Sequence, residues 1–203
     1  MDPRILKTMK AYNEIAGAYA EENNSEKIVN NMIPLLDRFI TYAGKGRYIL
    51  DVGCGHGRDA KYFSEKGFNV TAIDLSKGLL AIAKKAAPKA DFKVMDMTEL
   101  DFPDSSFDGL WACASFLHVP KEFANDTLKG FYNVLMPEGL LFLCVKDGDS
   151  EGFVNSKAYG GCERYFSDYR LGELEPLLDA SGFEMVETIA DGKFINTYSR
   201  AKK

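Results

Sequence analysis

Between residues 48 and 145 the chain alternates short apolar runs with helix-length segments of mixed polarity, and this alternation restricts its fold more than any other feature. The apolar runs have the composition of buried strands, and the segments between them show helical spacing. Strand–helix–strand units connect by right-handed crossovers, which build a parallel sheet with helices on both faces. The pattern therefore predicts an α/β fold.

The alternation predicts seven strands and six helices. Predicted strands cover 48–50, 68–73, 92–95, 107–112, 140–145, 183–189 and 194–199. Predicted helices cover 4–22, 30–43, 58–66, 77–87, 121–135 and 168–181. Pro34 would lie in the first turn of the second helix, and a Gly-Lys-Gly turn at 44–46 leads into the first strand. Only a short turn at 190–193 joins the last two strands, which predicts an antiparallel hairpin.

Composition limits the classes of protein that the chain can belong to. With 203 residues, 46% of them hydrophobic, it suits one core and hence a single domain over 1–203. The formal net charge of −5 gives no positive field for a phosphate backbone, so we expect no nucleic-acid partner. The first residues do not resemble a secretion signal, and no apolar stretch has membrane-spanning length. We expect a cytoplasmic protein without a membrane partner.

The four cysteines, at 54, 113, 144 and 162, are widely spaced and form no Cys-x-x-Cys pair. This pattern indicates reduced, buried thiols, and neither a disulfide framework nor a metal site is expected.

A glycine-rich turn, DVGCGHG at 51–57, falls where the first predicted strand ends and a helix begins. Gly53, Gly55 and Gly57 permit backbone angles that other residues resist, and they let a ligand lie against the main chain beside a helix N-terminus. In open parallel sheets, ligands bind beyond the carboxyl ends of the strands, where the strand order reverses. The turn therefore indicates a small-molecule site.

Two acidic residues end the next two predicted strands. Asp74 stands where a carboxylate can accept hydrogen bonds from two ribose hydroxyls; alternatively, it caps the helix that starts near Ser76. Asp96 ends the third strand, where it can accept from the amino group of adenine; alternatively, it is an ordinary turn acid. Combined with the glycine turn, the two acids favour an adenosine cofactor.

The spacing of the glycines separates the possible cofactors. A dinucleotide fingerprint needs Gly-x-Gly-x-x-Gly, but Arg58 stands where the third glycine would pack helix against strand. No Gly-Lys-Ser or Gly-Lys-Thr follows the first strand, which disfavours a triphosphate-binding loop.

Five motifs make the sequence similar to the class I S-adenosylmethionine-dependent methyltransferases, in particular the small free-standing enzymes that act on metabolites. In chain order they are DVGCGHG (51–57), IDLS (73–76), VMDM (94–97), FDGLWACASFLHV (107–119) and LMPEGLLFLCVK (135–146). The resemblance covers nearly the whole chain. It implies a Rossmann-like sheet of order 3-2-1-4-5-7-6 with the last strand antiparallel, and methyl transfer from S-adenosylmethionine to a small-molecule acceptor.

The resemblance also implies which residues hold the cofactor. The glycines of the turn pass under its methionine part, Asp51 helps to orient its amino group, and Asp74 holds the ribose. The full set is Asp51, Gly53, Gly55, Gly57, Asp74, Leu75, Asp96, Met97, Ala112 and Tyr19. Residues 1–44 are expected to form a helical lid, and residues 45–203 the cofactor-binding core.

His118, just past the fourth strand, is the candidate catalytic residue. The sulfonium methyl is already activated, so the protein mainly has to align the acceptor, and a general base is needed only if the acceptor must lose a proton. His118 is either that base or a structural residue that bonds a backbone carbonyl before Pro120.

Two further features concern the acceptor. Tyr12 and Tyr19 lie seven residues apart on one helix face, where they touch the cofactor carboxylate or the acceptor, or else pack as core. The glycine-containing, aromatic stretch 147–169 is expected to face the acceptor, with Arg164 and Arg170 suiting an anion or else solvated in a surface loop. Two other functions stay open at this point: a non-catalytic S-adenosylmethionine-binding sensor or subunit, and a different adenosyl reaction such as aminopropyl transfer.

Overall fold

The structure is a computed structural model and describes residues 1–44 and 47–203. The predicted turn at 44–46 lies mostly outside the described residues. The helices are α1 (Pro3–Asn23), α2 (Glu26–Ala43), α3 (Arg58–Glu65), α4 (Lys77–Ala86), α5 (Lys121–Val134) and α6 (Leu171–Ala180). The strands are β1 (Tyr48–Val52), β2 (Asn69–Asp74), β3 (Asp91–Val94), β4 (Phe107–Cys113), β5 (Leu135–Lys146), β6 (Glu151–Ser156), β7 (Cys162–Ser167), β8 (Phe183–Ala190) and β9 (Phe194–Ala201).

Seven of these strands form one sheet in the order β3-β2-β1-β4-β5-β9-β8. Strands β1 to β5 are parallel, and β9 runs antiparallel between β5 and β8. With β6 and β7 left out of the numbering, this is the order 3-2-1-4-5-7-6, so the predicted Rossmann-like fold is confirmed. The strand order reverses between β1 and β4, which opens a crevice at their carboxyl ends.

An apolar layer covers each face of the sheet, because the central strands carry apolar side chains at successive positions. On one face the indole of Trp111 stacks on Phe142, with ring centroids 3.8 Å apart, and residues of α2, α3 and α4 cover it. On the other face Leu110 and Ala112 pack with residues of α5 and α6. Helices therefore lie on both faces, as expected.

The first two helices occupy different places. α2 packs against the sheet through Leu36 and Phe39, both of which are buried. α1 instead contacts α4 and β7 and lies across the carboxyl ends of the parallel strands. It begins at Pro3, and the Asp2 carboxylate caps it by accepting from the backbone N–H of Arg4 at 2.8 Å. Within residues 1–44, only α1 is placed to cover a ligand.

The predicted start of α2 was wrong. The helix begins at Glu26 and not at residue 30, so Pro34 lies inside the helix and not in its first turn. In the extra turn, residues 26–29, Glu26 and Lys27 are exposed and Ile28 and Val29 are only half-buried, and Glu and Lys are good helix formers. Apolar spacing shows only where a helix buries a face, so it missed this turn.

The stretch 147–169 contains regular structure that was not predicted. β6 and β7 form an antiparallel two-stranded sheet outside the main one. It is fixed to the first helix, because the Tyr165 N–H donates to the hydroxyl of Thr8 at 2.9 Å. β6 is largely exposed and includes Gly152, Asn155 and Ser156, which do not favour strands, so the sequence resembled a loop.

Candidate functional site

A cavity lies at the carboxyl ends of the parallel strands, beneath α1. The space between its lining residues, with its open mouth included, is about 740 Å³. The predicted site residues on its wall are Tyr19, Gly53, Gly55, Asp74, Leu75, Asp96, Met97 and His118. The cavity wall does not include Asp51, Gly57 or Ala112.

The glycine-rich turn forms the floor of the cavity. Gly53 and Gly55 adopt positive φ angles of 68° and 56°, which glycine tolerates best. The N–H of Gly53 donates to the carbonyl of Ile73 at 2.8 Å, which ties the turn to β2. A Cβ atom at Gly55 would lie 3.7 Å from the ring of Tyr19, so the absence of a side chain keeps the space between turn and α1 open.

Gly57 has a packing role in this geometry. It precedes α3 at φ 84°, and a Cβ atom there would lie 2.9 Å from the backbone of Ala83 in α4. The missing side chain thus lets α3 and α4 approach each other. Ala112 is fully buried in the core, and its neighbours Cys113 and Ala114 line the cavity instead. Ala114 is held at φ 51°, an unusual angle for a residue with a side chain.

Asp74 lies on the cavity wall and also holds the backbone at the start of α4. One carboxylate oxygen accepts from the N–H of Gly55 at 2.9 Å, and the other from the N–H of Ser76 at 2.8 Å. Burial raises the pKa of Asp74, and these backbone donors oppose the rise. The carboxylate therefore orders the glycine turn and the start of α4 while it faces the cavity.

Asp96 presents a free acceptor to the cavity. Its Oδ1 accepts from the backbone N–H and the hydroxyl of Thr98, at 3.0 and 2.8 Å. Its Oδ2 is buried and finds no partner within the described parts of the chain. Because a buried acceptor without a donor is costly, this atom suits a ligand that brings an N–H or O–H group.

Asp51 is buried beneath the glycine turn. Burial, followed by the nearby charge of Asp59, raises the pKa of Asp51 well above its usual range, and the Arg58 guanidinium opposes this. Arg58 is itself paired with Asp59, its Nε lying 2.6 Å from Oδ1. Asp59 also accepts from the indole N–H of Trp111 at 2.9 Å, which holds α3 on the sheet. Oδ2 of Asp51 has no hydrogen-bond donor in residues 1–44 and 47–203.

The first helix covers the cavity with one face. Ile5, Thr8, Met9 and Tyr12 line the wall together with Tyr19. The sequence reasoning named only the two tyrosines, although the others follow from the same helical spacing. It also missed Ser115, which lines the wall and donates from its hydroxyl to the carbonyl of Val52 at 2.6 Å.

A chain of hydrogen bonds joins this helix to the end of β4 and to β7. Arg164 donates from Nη1 to the hydroxyl of Tyr12 at 3.0 Å, and that hydroxyl lies 2.9 Å from Nε2 of His118. Nδ1 of His118 lies 2.6 Å from the carbonyl oxygen of Tyr165. A carbonyl only accepts, so Nδ1 carries the proton and Nε2 accepts from Tyr12.

His118 is poorly suited to take up a proton in this setting. Burial lowers its pKa to about 4, and the charges of Arg164 and Lys146 push in the same direction. Both ring nitrogens form hydrogen bonds, one with Tyr12 and one with the carbonyl of Tyr165, as expected if His118 is a structural residue. His118 nevertheless lies on the cavity wall, so it can shape the position of an acceptor.

The two arginines of the 147–169 region differ. Arg164 is buried, so the solvated alternative is wrong for it, because β7 packs its side chain between aromatic rings under α1. Arg170 is exposed and pairs with Asp147 at 3.0 Å.

The chain is similar to known methyltransferases in sequence and in fold. A model described as a methyltransferase domain matches residues 49–139, which hold the glycine turn, Asp74 and Asp96. The chain is 38% identical over 106 residues to the putative methyltransferase YqeM of Bacillus subtilis (strain 168), an alignment that covers 50% of this chain and 42% of that protein. Residues 49–139 of the chain are therefore similar to a methyltransferase domain.

Two further methyltransferases are similar to the chain, one in sequence and one in fold. The 2-methyl-6-phytyl-1,4-hydroquinone methyltransferase of Synechocystis sp. (strain ATCC 27184 / PCC 6803 / Kazusa) is 31% identical over 136 residues, covering 62% of this chain and 42% of that protein. The solved structure of Burkholderia thailandensis 1,6-didemethyltoxoflavin-N1-methyltransferase superposes with a TM-score of 0.76 at 22% identity, covering 100% of this chain and 92% of that one. The chain spans 42% of the length of each of these two curated relatives.

The described residues show neither a membrane-spanning helix nor a metal-ligand cluster. None of the described helices is both long and apolar enough to cross a membrane. No group of three or more His, Cys, Asp or Glu side chains is arranged to hold a metal ion.

Proposed function

We propose that the chain binds S-adenosylmethionine in this cavity and transfers its methyl group to a small-molecule acceptor. The observation that carries the proposal is the joint position of Gly55, Asp74 and Asp96 on one wall. The glycine leaves the main chain open, Asp74 offers a buried carboxylate one strand over, and Asp96 offers an unpaired acceptor at the next strand. These suit, in order, the methionine, ribose and adenine parts of the cofactor.

The residues present fit this cofactor. Oδ2 of Asp96 needs a donor, which the amino group of adenine supplies. Oδ2 of Asp51 lies buried under the glycine turn without a donor. In this proposal Asp51 helps to orient the cofactor's ammonium group indirectly, through the residues of that turn. Leu75 and Met97 give apolar surface beside Asp96 for a flat ring. Gly57 and Ala112 act indirectly in this proposal, through helix packing and strand position.

The bound cofactor supplies an activated methyl group on sulfur, so the protein's own work is alignment. The cavity extends from the glycine turn past Ser115 to His118 and Tyr12, which leaves a wall for the acceptor. Positioning of this kind is worth roughly 7–11 kcal/mol. We propose that His118 is a positioning residue, because its Nε2 accepts from Tyr12 and its pKa is near 4.

The first test is calorimetry with S-adenosylhomocysteine, the demethylated product. We expect binding by the intact protein, and Asp74→Asn should weaken it at least about tenfold, because a charged acceptor is lost. Asp126→Asn, at an exposed position in α5, is the matched control and should bind normally. If the compound does not bind while NAD or ATP does, the cofactor proposal is wrong.

The second test concerns transfer. Protein mixed with methyl-labelled S-adenosylmethionine and a metabolite extract should give a labelled small molecule. Binding without any labelled product would favour the non-catalytic alternative. The expected setting is the cytoplasm, since all four cysteines are free thiols. We expect neither nucleic acid nor membrane as a partner.

A further inference from the structure

Two cations flank one aromatic ring beside the cavity. Nζ of Lys146, at the end of β5, lies 3.6 Å from the centroid of the Phe166 ring, and Cζ of Arg164 lies 5.4 Å from the same centroid. The imidazole of His118, on the cavity wall, lies 4.7 Å from that ring. Among the described residues, Arg164 and Lys146 form no ion pair within 4.0 Å, although the charge of Asp168 acts on Lys146 and partly offsets it. The surroundings of His118 are therefore positively charged.

The guanidinium of Arg164 is incompletely paired. Its residue is only 9% exposed, yet Nε is buried and lacks an acceptor among the described residues. The rings of Tyr12 and Tyr159 lie 5.1 and 5.0 Å from Cζ, and such faces offset part of the desolvation cost. They do not replace an anion, because burying an unpaired charge is expensive. A built cationic site of this kind suits an anionic ligand.

The location of the two cations indicates whether the anionic ligand is the cofactor or the acceptor. The proposed adenosine contacts, Asp74 and Asp96, lie at the ends of β2 and β3. Tyr12 and His118 line the same cavity, and Arg164 lies directly behind them, with Nη1 donating to the hydroxyl of Tyr12. Lys146 lies against Phe166, which contacts His118. The two cations therefore act on the part of the cavity next to Tyr12 and His118, which the adenosine contacts leave free for an acceptor.

We propose that the acceptor is a small anion whose carboxylate or similar oxygen group lies against Tyr12 and His118, in the positive field of Arg164 and Lys146 behind them. This inference rests on the proposed function, since it names the substrate class of the same cavity. The same positive field disfavours a proton on His118, so the cations serve to hold the acceptor and the histidine to position it. Tyr12 connects the two, because its hydroxyl contacts both Arg164 and His118.

The test compares benzoate with benzamide, which share size and shape but differ in charge. Protein saturated with S-adenosylhomocysteine is titrated with each compound in a calorimeter. We expect benzoate to bind at least tenfold more tightly than benzamide. Arg164→Gln and, separately, Lys146→Gln should each remove most of that preference. Arg170→Gln, which changes an exposed arginine paired with Asp147, should keep it.

Each outcome decides between the possibilities. Equal binding of the two compounds, or no binding of benzoate, would overturn the anionic acceptor. A loss of S-adenosylhomocysteine affinity in Arg164→Gln as large as the loss for benzoate would assign the guanidinium to the cofactor carboxylate and overturn it too. Failure of the unaltered protein to bind S-adenosylhomocysteine is a different result, and it refutes the proposed function itself.

Discussion

The side-chain oxygen of Asn13 accepts a hydrogen bond from the hydroxyl of Ser76, 2.9 Å away. The same oxygen accepts from the backbone N–H of Gly78, also at 2.9 Å. Ser76 in turn caps α4, since its hydroxyl accepts from the N–H of Leu79. A single amide of the covering helix α1 thus satisfies the first turn of a core helix next to Asp74.

Asn13→Ala should loosen this attachment. Loss of contacts of this kind costs about 1 kcal/mol, which raises the open population of α1 about fivefold. We expect faster limited proteolysis within α1 and a several-fold weaker affinity for S-adenosylhomocysteine. Glu14→Ala, at the adjacent exposed position, is the control. Equal behaviour of the two variants would show that the amide does not hold the helix.

Gly57→Ala tests whether the third glycine of the turn serves packing. The variant pays for its left-handed backbone angle, roughly 1–2 kcal/mol, and for the clash with Ala83, roughly 1–3 kcal/mol. Gly67 also has a positive φ, 92°, but a Cβ atom there would meet nothing within 4 Å. Gly67→Ala should therefore lose only the roughly 1–2 kcal/mol of stability that the backbone angle costs. Urea unfolding of both proteins measures the difference. If Gly57→Ala is no less stable than Gly67→Ala, the helix contact is unimportant.

The sequence was sufficient to predict the sheet, because buried parallel strands have a strong apolar signature. The glycine turn, Asp74 and Asp96 also follow from position, since the carboxyl ends of parallel strands meet at one edge. The position of the Ala112 side chain could not be predicted in this way. A motif places a residue along a strand, but successive side chains point to opposite faces, and that of Ala112 points into the core.

Long-range contacts were beyond sequence reasoning. Arg164 looks like a solvated arginine until β7 is paired with β6 and packed under α1. The link between Asn13 and Ser76 joins residues 63 positions apart, and no local pattern indicates it. The two-stranded sheet was not predicted because β6 is largely exposed and shows no alternation of apolar and polar residues, so that only cross-strand pairing identifies it.

His118 should make stability depend on pH. Its pKa is about 4 in the folded protein and about 6.5 when unfolded. The unfolded chain therefore binds more protons between these values, and stability falls as pH drops through this window. Between pH 7 and pH 5 the expected loss from this residue is about 2 kcal/mol.

Urea unfolding of the wild type and of His118→Gln at both pH values measures that loss. The buried carboxylates Asp51 and Asp74 titrate with the opposite sign, but they are common to both proteins and cancel in the comparison. His56, whose pKa is also about 4, cancels likewise. A difference between the two proteins that does not change with pH would contradict the assignment of a neutral, buried imidazole.

Tyr12 and Tyr19 line the same cavity, yet their hydroxyl groups should matter differently. In Tyr12→Phe, Nη1 of Arg164 and Nε2 of His118 both lose their partner, and leaving buried polar groups unpaired costs about 1–3 kcal/mol. The hydroxyl of Tyr19 makes no hydrogen bond to the described protein, so Tyr19→Phe should change stability by less than about 0.5 kcal/mol. Thermal unfolding of the two variants without ligand measures this difference in stability.

The same variant also tests ligand binding. Tyr12→Phe should weaken benzoate binding and leave S-adenosylhomocysteine affinity within threefold, because the partners of the Tyr12 hydroxyl lie on the acceptor side. The opposite order, with Tyr19→Phe the less stable protein, would mean that the chain from Arg164 to His118 does not stabilise the fold.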